Sequence, residues 1–462
     1  MWLRRRSQCC AAIQSSERTL TFDIIRAQKI FVREWLDERP PVPSLTRFQQ
    51  TLRWGRDPAS LLTDTASRLG DCFTLTMTGP PMIIVSHPDH VARIFEASSD
   101  DLLAGDANTV FSLALGSRNL LSLDGAEHDR MRRRVGAPFA YRHVPNFADR
   151  IAAVVRHHVA GWSSDVVIDL QTLMQRVALD VILDVLLGPA AALSAFRNAV
   201  LELADRIAEL GTHRRGPSGD DSLAVARQRV RRLCSEHVAG SHEDTPDDGA
   251  MLDHIRASLA EGSKDGDAVL DQLVTVLIAG HETTATALTW AMCRIVDTND
   301  LLETLRIEVG ESDGGASPLL DATILETLRL HPAFPVLPRT VTRPLQIGPY
   351  RLLPGDVVAP CSYLSHRHAA VWKEPERFDP MRFLGEHPGP SEFYPFGNGA
   401  RRCVGMHFAL LEMRIVLADT LRRWHVQRLV DGVPRPIRRS LTLAPQGGFP
   451  VVLRSRRTIA TA

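Results

Sequence analysis

The sequence is short of several features that would each have fixed a class. Its seven cysteines, Cys9, Cys10, Cys72, Cys234, Cys293, Cys361 and Cys403, are odd in number and irregular in spacing, which argues against a disulfide framework and for a reducing compartment. The absence of a C-x-x-C pair removes zinc ribbons and iron–sulfur clusters. Net charge is missing too: Lys+Arg and Asp+Glu number 54 each, so no global field attracts nucleic acid or an anionic membrane. No stretch reaches the roughly 18 uninterrupted apolar residues of a membrane span. The N-terminus has a basic cluster, Arg4-Arg5-Arg6, but too few apolar residues follow for a secretory signal, and Glu17 and Asp23 oppose a mitochondrial presequence. These absences predict a cytoplasmic protein with no transmembrane anchor and no nucleic-acid partner.

What is present is a long, apolar chain. With 462 residues, 44% of them hydrophobic, it can build a large core as one domain or as two joined lobes. Residues 1–38 read as a charge-mixed leader, stopped by Arg39-Pro40-Pro41-Val42-Pro43 because proline cannot continue a helix. Beyond it the pattern predicts a helix over 61–69 and a strand pair, 72–77 and 81–85, across Gly79-Pro80. A helix then opens at His87-Pro88. The strands need partners, and the candidates lie far away, between Leu345 and Val358. Residues 98–122 look irregular. From Val144 to about Arg256, helical periodicity alternates with polar breaks at 211–221 and 241–249. His157, His158, His213, His237 and His242 lie in this region without mutual ligand spacing, as surface or core histidines do. A long helix is expected from Asp267 to about Asp297. The class is mainly α with a minor β region.

The chemistry concentrates near the C-terminal end, in Phe396-Gly397-Asn398-Gly399-Ala400-Arg401-Arg402-Cys403-Val404-Gly405. Glycines permit sharp turns, and the apolar run from Met406 starts a helix, so Cys403 stands at a helix N-terminus. The dipole, free N–H groups and adjacent arginines should lower the thiol's pKa and favour a thiolate, a soft metal ligand or a nucleophile. A lone cysteine is more often an inert core side chain. Here the surrounding pattern, F-x-x-G-x-R-x-C-x-G, resembles the haem-binding loop of the cytochrome P450 family, in which the cysteine is the axial iron ligand. Five fixed positions arise by chance at about 10⁻⁷ per start.

The resemblance extends upstream, in order. His128 and Arg132, spaced i, i+4 on one helix face, match the family's residues for haem propionates, although a solvated basic face is the ordinary reading of such a cluster. Ala279-Gly280-His281-Glu282-Thr283-Thr284 fills (A/G)-G-x-(D/E)-T-(T/S), which crosses the haem opposite the cysteine. Thr283 is then expected to hydrogen-bond dioxygen and a water, Glu282 to gate proton delivery, and Gly280 to leave room for dioxygen. Glu326 and Arg329 could be an ordinary helix-surface pair; the resemblance instead joins them to Arg377 in a buried structural network. Arg339, on an expected strand edge, and Arg401 complete the cofactor-binding set.

The resemblance implies a triangular-prism fold over 39–462, with a long central helix over haem b. The implied activity is an O2-dependent monooxygenase that hydroxylates or epoxidises an apolar small molecule such as a lipid, terpene, steroid or secondary metabolite. No flavin or iron–sulfur motif is present, so electrons would come from NAD(P)H through a separate ferredoxin or flavodoxin and its reductase. Arg130, Arg133, Arg134 and Arg402 are the expected docking patch on a monomer. A leader without an anchor, and a short, glycine-rich 298–325 segment, point to the soluble bacterial-type branch. Two alternatives remain: a peroxide-driven peroxygenase, and a non-catalytic haem-thiolate sensor, which would have no use for a proton relay.

Overall fold

The computed structural model describes residues 39–188, 193–210, 222–240, 265–298, 300–312, 317–385, 388–429 and 431–455. Both polar breaks, with His213 and His242, and the whole 1–38 leader fall outside these residues.

In chain order, α1 (Arg47–Arg56) and α2 (Pro58–Leu69) lead into β1 (Cys72–Leu75) and β2 (Met82–Val85), followed by α3 (Pro88–Glu96). Thr46 caps α1 with a full capping box. Asp57 caps α2 ahead of its N-terminal proline. The segment read as irregular holds β3 (Leu102–Leu103), a one-turn helix at Ala104–Ala107 and α4 (Val110–Leu115). Such elements are too short to leave a periodic signature. Next come α5 (Gly125–Gly136), α6 (Ala148–Ala160), β4 (Val167–Asp169), α7 (Leu170–Leu187), α8 (Leu193–Leu210), α9 (Ser222–Gly240) and the 33-residue α10 (Asp265–Asp297). The chain continues through α11 (Leu301–Glu311), α12 (Pro318–Leu330), β5 (Arg339–Val341), β6 (Leu345–Ile347), β7 (Tyr350–Leu352) and β8 (Val357–Pro360). Last are α13 (Met406–Arg423), β9 (Trp424–Arg428), β10 (Pro436–Arg439), β11 (Thr442–Pro445) and β12 (Pro450–Ser455).

The expected strand pair is an antiparallel hairpin, Cys72 opposite Val85. Its long-range partner is β8, which pairs with β2 in parallel, Met82 opposite Val357. The five-stranded sheet runs β1-β2-β8-β5-β3. Leu345 to Leu352, expected to join it, instead forms a separate β6–β7 hairpin around Gly348, whose φ of +54° lies in the left-handed region.

The core is one large apolar cluster centred on α7 and α10, which are buried along most of their length. Gly280 makes their approach possible: a Cβ there would lie 3.3 Å from Ile182 Cγ1 on α7. The missing side chain thus also serves helix packing against α7, beside the role expected of it towards the haem face.

A second correction concerns the network around Glu326 and Arg329. Arg329 spends all five of its donors. Two go to Glu326, at 2.7 and 2.8 Å, and three go to the carbonyls of His366, Pro375 and Arg377, at 2.7, 2.7 and 3.0 Å. Arg377 contributes only that carbonyl; its own guanidinium is 61% exposed and pairs with Glu374. The second cation is Arg382, whose Nε lies 3.5 Å from Glu326 Oε1. A 3₁₀ turn over Pro380–Phe383 carries Arg382 inward, and Glu326 also accepts the Asp379 N–H at 2.8 Å.

Candidate functional site

The site is a crevice between the middle of α10 and the loop before α13. Along the buried middle of α10, Val276, Ala279, Gly280 and Thr283 are less covered, with Ala279 exposed. Their spacing, i, i+3, i+4, i+7, makes them one face. Facing it, Cys403 is exposed, and Met406, Ala409 and Leu410 are half-buried. Both walls touch one small apolar cluster. Val276 from α10 and Val404 beside the cysteine pack on Leu120, Leu123, Met131 and Val135.

The cysteine loop is built as its glycines predict. Gly397 and Gly399 take φ of +69° and +63°. The Cys403 N–H closes back on the Phe396 carbonyl at 2.8 Å, and the Asn398 side chain accepts from Gly399 N at 2.7 Å. One expectation fails here: the thiol's pKa is raised. Desolvation outweighs the Gly405 N–H, Arg132 and Arg402, which favour the thiolate, although the residue keeps an exposed surface.

At the edge of the crevice the fold gathers positive charge. Arg401 pairs with Asp124 and donates to the Leu123 carbonyl at 2.5 Å. Asp124 in turn accepts the N–H groups of Gly105 and Asp106, at 2.9 and 2.8 Å. Arg339 on β5 is buried, and burial followed by repulsion from Arg401 lowers its pKa to about 10. It donates to the Leu337 carbonyl at 3.1 Å, and its guanidinium carbon lies 5.4 Å from the centre of the Phe95 ring. His128 is buried, with Nδ1 3.2 Å from Asp129; desolvation, then Arg401, lowers its pKa, and Arg132 adds to the effect. Arg132 is itself lowered by burial and by Arg402. Among the described residues neither Arg132 nor Arg339 makes an ion pair. The expected cofactor-binding set, His128, Arg132, Arg339 and Arg401, thus forms one mutually repelling group.

This arrangement fits haem. Two apolar walls match a flat hydrocarbon ring system, the partly buried cations call for carboxylates, and a reachable sulfur offers a soft ligand.

On the α10 wall the neighbouring acid and alcohol face different ways, as consecutive positions about 100° apart on a helix must. Thr283 opens on the crevice, its hydroxyl donating to the Ala279 carbonyl at 2.7 Å and leaving its lone pairs to accept. Glu282 is buried and turns to the β10–β11 hairpin, accepting from Thr442 Oγ1 at 3.3 Å. Burial raises its pKa to about 7 against the opposing effects of Ser440, Thr442, Arg439 and the Leu441 N–H. Sequence reasoning missed Thr442 and Ser440: they lie on a hairpin some 160 residues away, with nothing local to mark them.

A helical core, a small mixed sheet, and a cysteine loop beside a long central helix define the class as a haem-thiolate protein of the P450 type. The family model described as Cytochrome P450 matches residues 38–451. The putative cytochrome P450 135B1 of Mycobacterium tuberculosis is 30% identical over 442 residues, covering 91% of this chain and 92% of the relative. The putative cytochrome P450 138 of the same species is 29% identical over 434 residues, covering 90% and 96%. Among solved structures, CYP175A1 from Thermus thermophilus superposes with a TM-score of 0.72 at 26% identity, covering 90% of this chain and all of that one. The heme domain of cytochrome P450DA superposes with a TM-score of 0.78 at 21% identity, covering 91% and 98%, a likeness of fold. The chain belongs to the cytochrome P450 family. It is therefore a haem-thiolate monooxygenase, and among the described residues no helix is long and apolar enough to cross a membrane.

Proposed function

We propose that Cys403 is the axial ligand of haem b, that Arg132, Arg339, Arg401 and His128 hold its propionates, and that the enzyme oxygenates an apolar organic substrate with electrons from a separate redox protein. Bound here, haem supplies reductive activation of O2. The observation that carries the reading is that Val276 on the open face of α10 and Val404 beside Cys403 pack on one apolar cluster, with Arg132 and Arg339 close by and without carboxylate partners among the described residues.

The chain's own residues then have distinct tasks. Arg339 and Arg132 orient the cofactor by charge-assisted hydrogen bonds, which a carboxylate accepts in pairs from arginine. Apolar walls exclude water and favour a hydrocarbon-like substrate. Thr283 offers an acceptor on the open face, and Glu282, with a pKa of about 7, can hold or release a proton at working pH. On the outer side Arg130, Arg133 and Arg402 are exposed and Arg134 is half-buried; we assign this patch to docking an acidic ferredoxin or flavodoxin.

The test compares product formation with NAD(P)H plus a ferredoxin and its reductase, with peroxide alone, and with neither. Turnover with the electron-transfer system supports the reading; turnover with peroxide alone identifies a peroxygenase. Reversing Arg130 and Arg133 to Glu should slow reduction in a salt-sensitive way and spare peroxide-driven turnover. Equal loss of both would remove the docking assignment.

A further inference from the structure

Behind Glu282 runs a file of buried polar side chains that the proposed function does not use. Gln171 Nε2 on α7 donates to Thr286 Oγ1 on α10 at 3.5 Å, and Thr286 meets Thr442 Oγ1 on β11 at 3.3 Å. Thr442 donates to Glu282 Oε1 at 3.3 Å. Relative exposures along the file are 0, 0, 1 and 6%. The single hydrogen of the Thr442 hydroxyl has two acceptors at 3.3 Å, Glu282 Oε1 and the Arg439 carbonyl, and an ionised Glu282 is the stronger of the two. With that hydrogen on the acid, and Gln171 donating to Thr286, the Thr286 hydroxyl is placed to donate to Thr442.

The hairpin tip adds two more donors. Arg439 pairs with Thr442 across the ladder, leaving Ser440-Leu441 as a two-residue turn. Ser440 takes φ +51°, where a two-residue hairpin turn normally has glycine. A serine there accepts a conformational cost on the order of 1 kcal/mol. Its hydroxyl is buried and without a hydrogen bond, yet lies close enough to Glu282 to favour the ionised carboxyl, as does the Leu441 N–H.

We infer that the β10–β11 hairpin is a receptor for the ionised form of Glu282, with Thr442 as the positioning residue. When the carboxyl gives up its proton towards the Thr283 side, the carboxylate is held by Thr442 Oγ1, the Ser440 hydroxyl and the Leu441 N–H, and a proton from water restores the acid. The file explains why four polar groups are kept where α7, α10 and β11 otherwise meet through apolar side chains. The charged group acting on Glu282 is Arg439 of the hairpin; α7 meets the file with the uncharged Gln171, and on α10 itself His281 bonds the Leu277 carbonyl at 2.8 Å. The inference rests on the proposed role of Glu282, but its readout does not need turnover.

The experiment is an infrared pH titration of the holoenzyme, following the carboxylic-acid band that disappears in Glu282→Gln. Thr442→Val removes the donor at constant shape and should move the midpoint of that band upward by about one pH unit, since a hydrogen bond to a charged group contributes about 1.5 kcal/mol or more. Thr442→Ser should restore it, and Thr286→Val should give a smaller shift in the same direction. The pH limb of coupled turnover should move with the band. If Thr442→Val does not fold, Thr286→Val decides alone. An unmoved midpoint in the foldable valine variants, or a limb that still shifts in the Glu282→Gln background, overturns the inference. A normal reduced carbonyl spectrum in every variant keeps either result separate from a failure of the haem-thiolate assignment.

Discussion

Glu326 and Arg329, one helical turn apart on α12, are joined by two hydrogen bonds of 2.7 and 2.8 Å, and neither side chain is exposed at all. Because Arg329 also holds three carbonyls from the segment leading to the cysteine loop, its loss strands a buried carboxylate and three acceptors together. Arg329→Ala should cost about 3–5 kcal/mol or abolish folding. Arg377→Ala, at the exposed position, should stay within about 0.5 kcal/mol of the parent. Arg382→Ala should fall between them. Denaturant midpoints of the three variants check the order, and an Arg377 effect as large as that of Arg329 would reinstate it in the network.

Gly280 is set by its neighbour Ile182. In Gly280→Ala the gain in helix propensity, about 1 kcal/mol, is offset by a Cβ 3.3 Å from Ile182 Cγ1, so stability should hardly change. Gly280→Val should cost about 1–3 kcal/mol through overpacking, with part regained in an Ile182→Ala background. A double-mutant cycle by thermal melting checks the coupling.

Glu282 makes the fold sensitive to pH in a defined direction. Its pKa is raised on folding, from 4.5 to about 7, so the native state binds the proton more tightly than the unfolded chain does. The contribution is fully present below about 4.5, declines as pH rises through about 7, and is flat above it. The shift corresponds to about 3 kcal/mol. Glu282→Gln should therefore flatten the fall of Tm between these pH values. An equally steep fall in the variant would place the titration elsewhere, with the buried Glu412 the next group to examine.

Arg339 is buried without an anionic partner, so its worth should depend on the cofactor. Arg339→Leu should leave the haem-free protein as stable as the parent or more so. It should also speed haem transfer to an apoglobin acceptor by about 10- to 100-fold, the loss of one charge-assisted hydrogen bond. Equal destabilisation of both forms would make Arg339 a packing residue.

Much of this was legible in the sequence where the signal is local. The cysteine loop, the helix ending at Asp297, the Glu326–Arg329 pair and the first hairpin are each defined by residues within a few turns of one another. What was not legible depends on approach in space. The parallel pairing of β2 with β8, the reach of Arg382 past Arg377, the Ile182 contact of Gly280 and the Thr442 contact of Glu282 join distant segments and leave no periodic trace. The thiol of Cys403 shows the same limit: dipole and arginines can be read from neighbours in sequence, whereas the desolvation that outweighs them comes from the whole crevice.

The central claim is that the sulfur of Cys403 coordinates haem iron, and the absorption spectrum of the dithionite-reduced carbonyl adduct tests it most directly. The account predicts a Soret band red-shifted in the manner of thiolate ligation in the parent, and its replacement by an unshifted band in Cys403→His. A parent protein without the shifted band after haem reconstitution, or a Cys403→His variant that keeps it, would contradict the account.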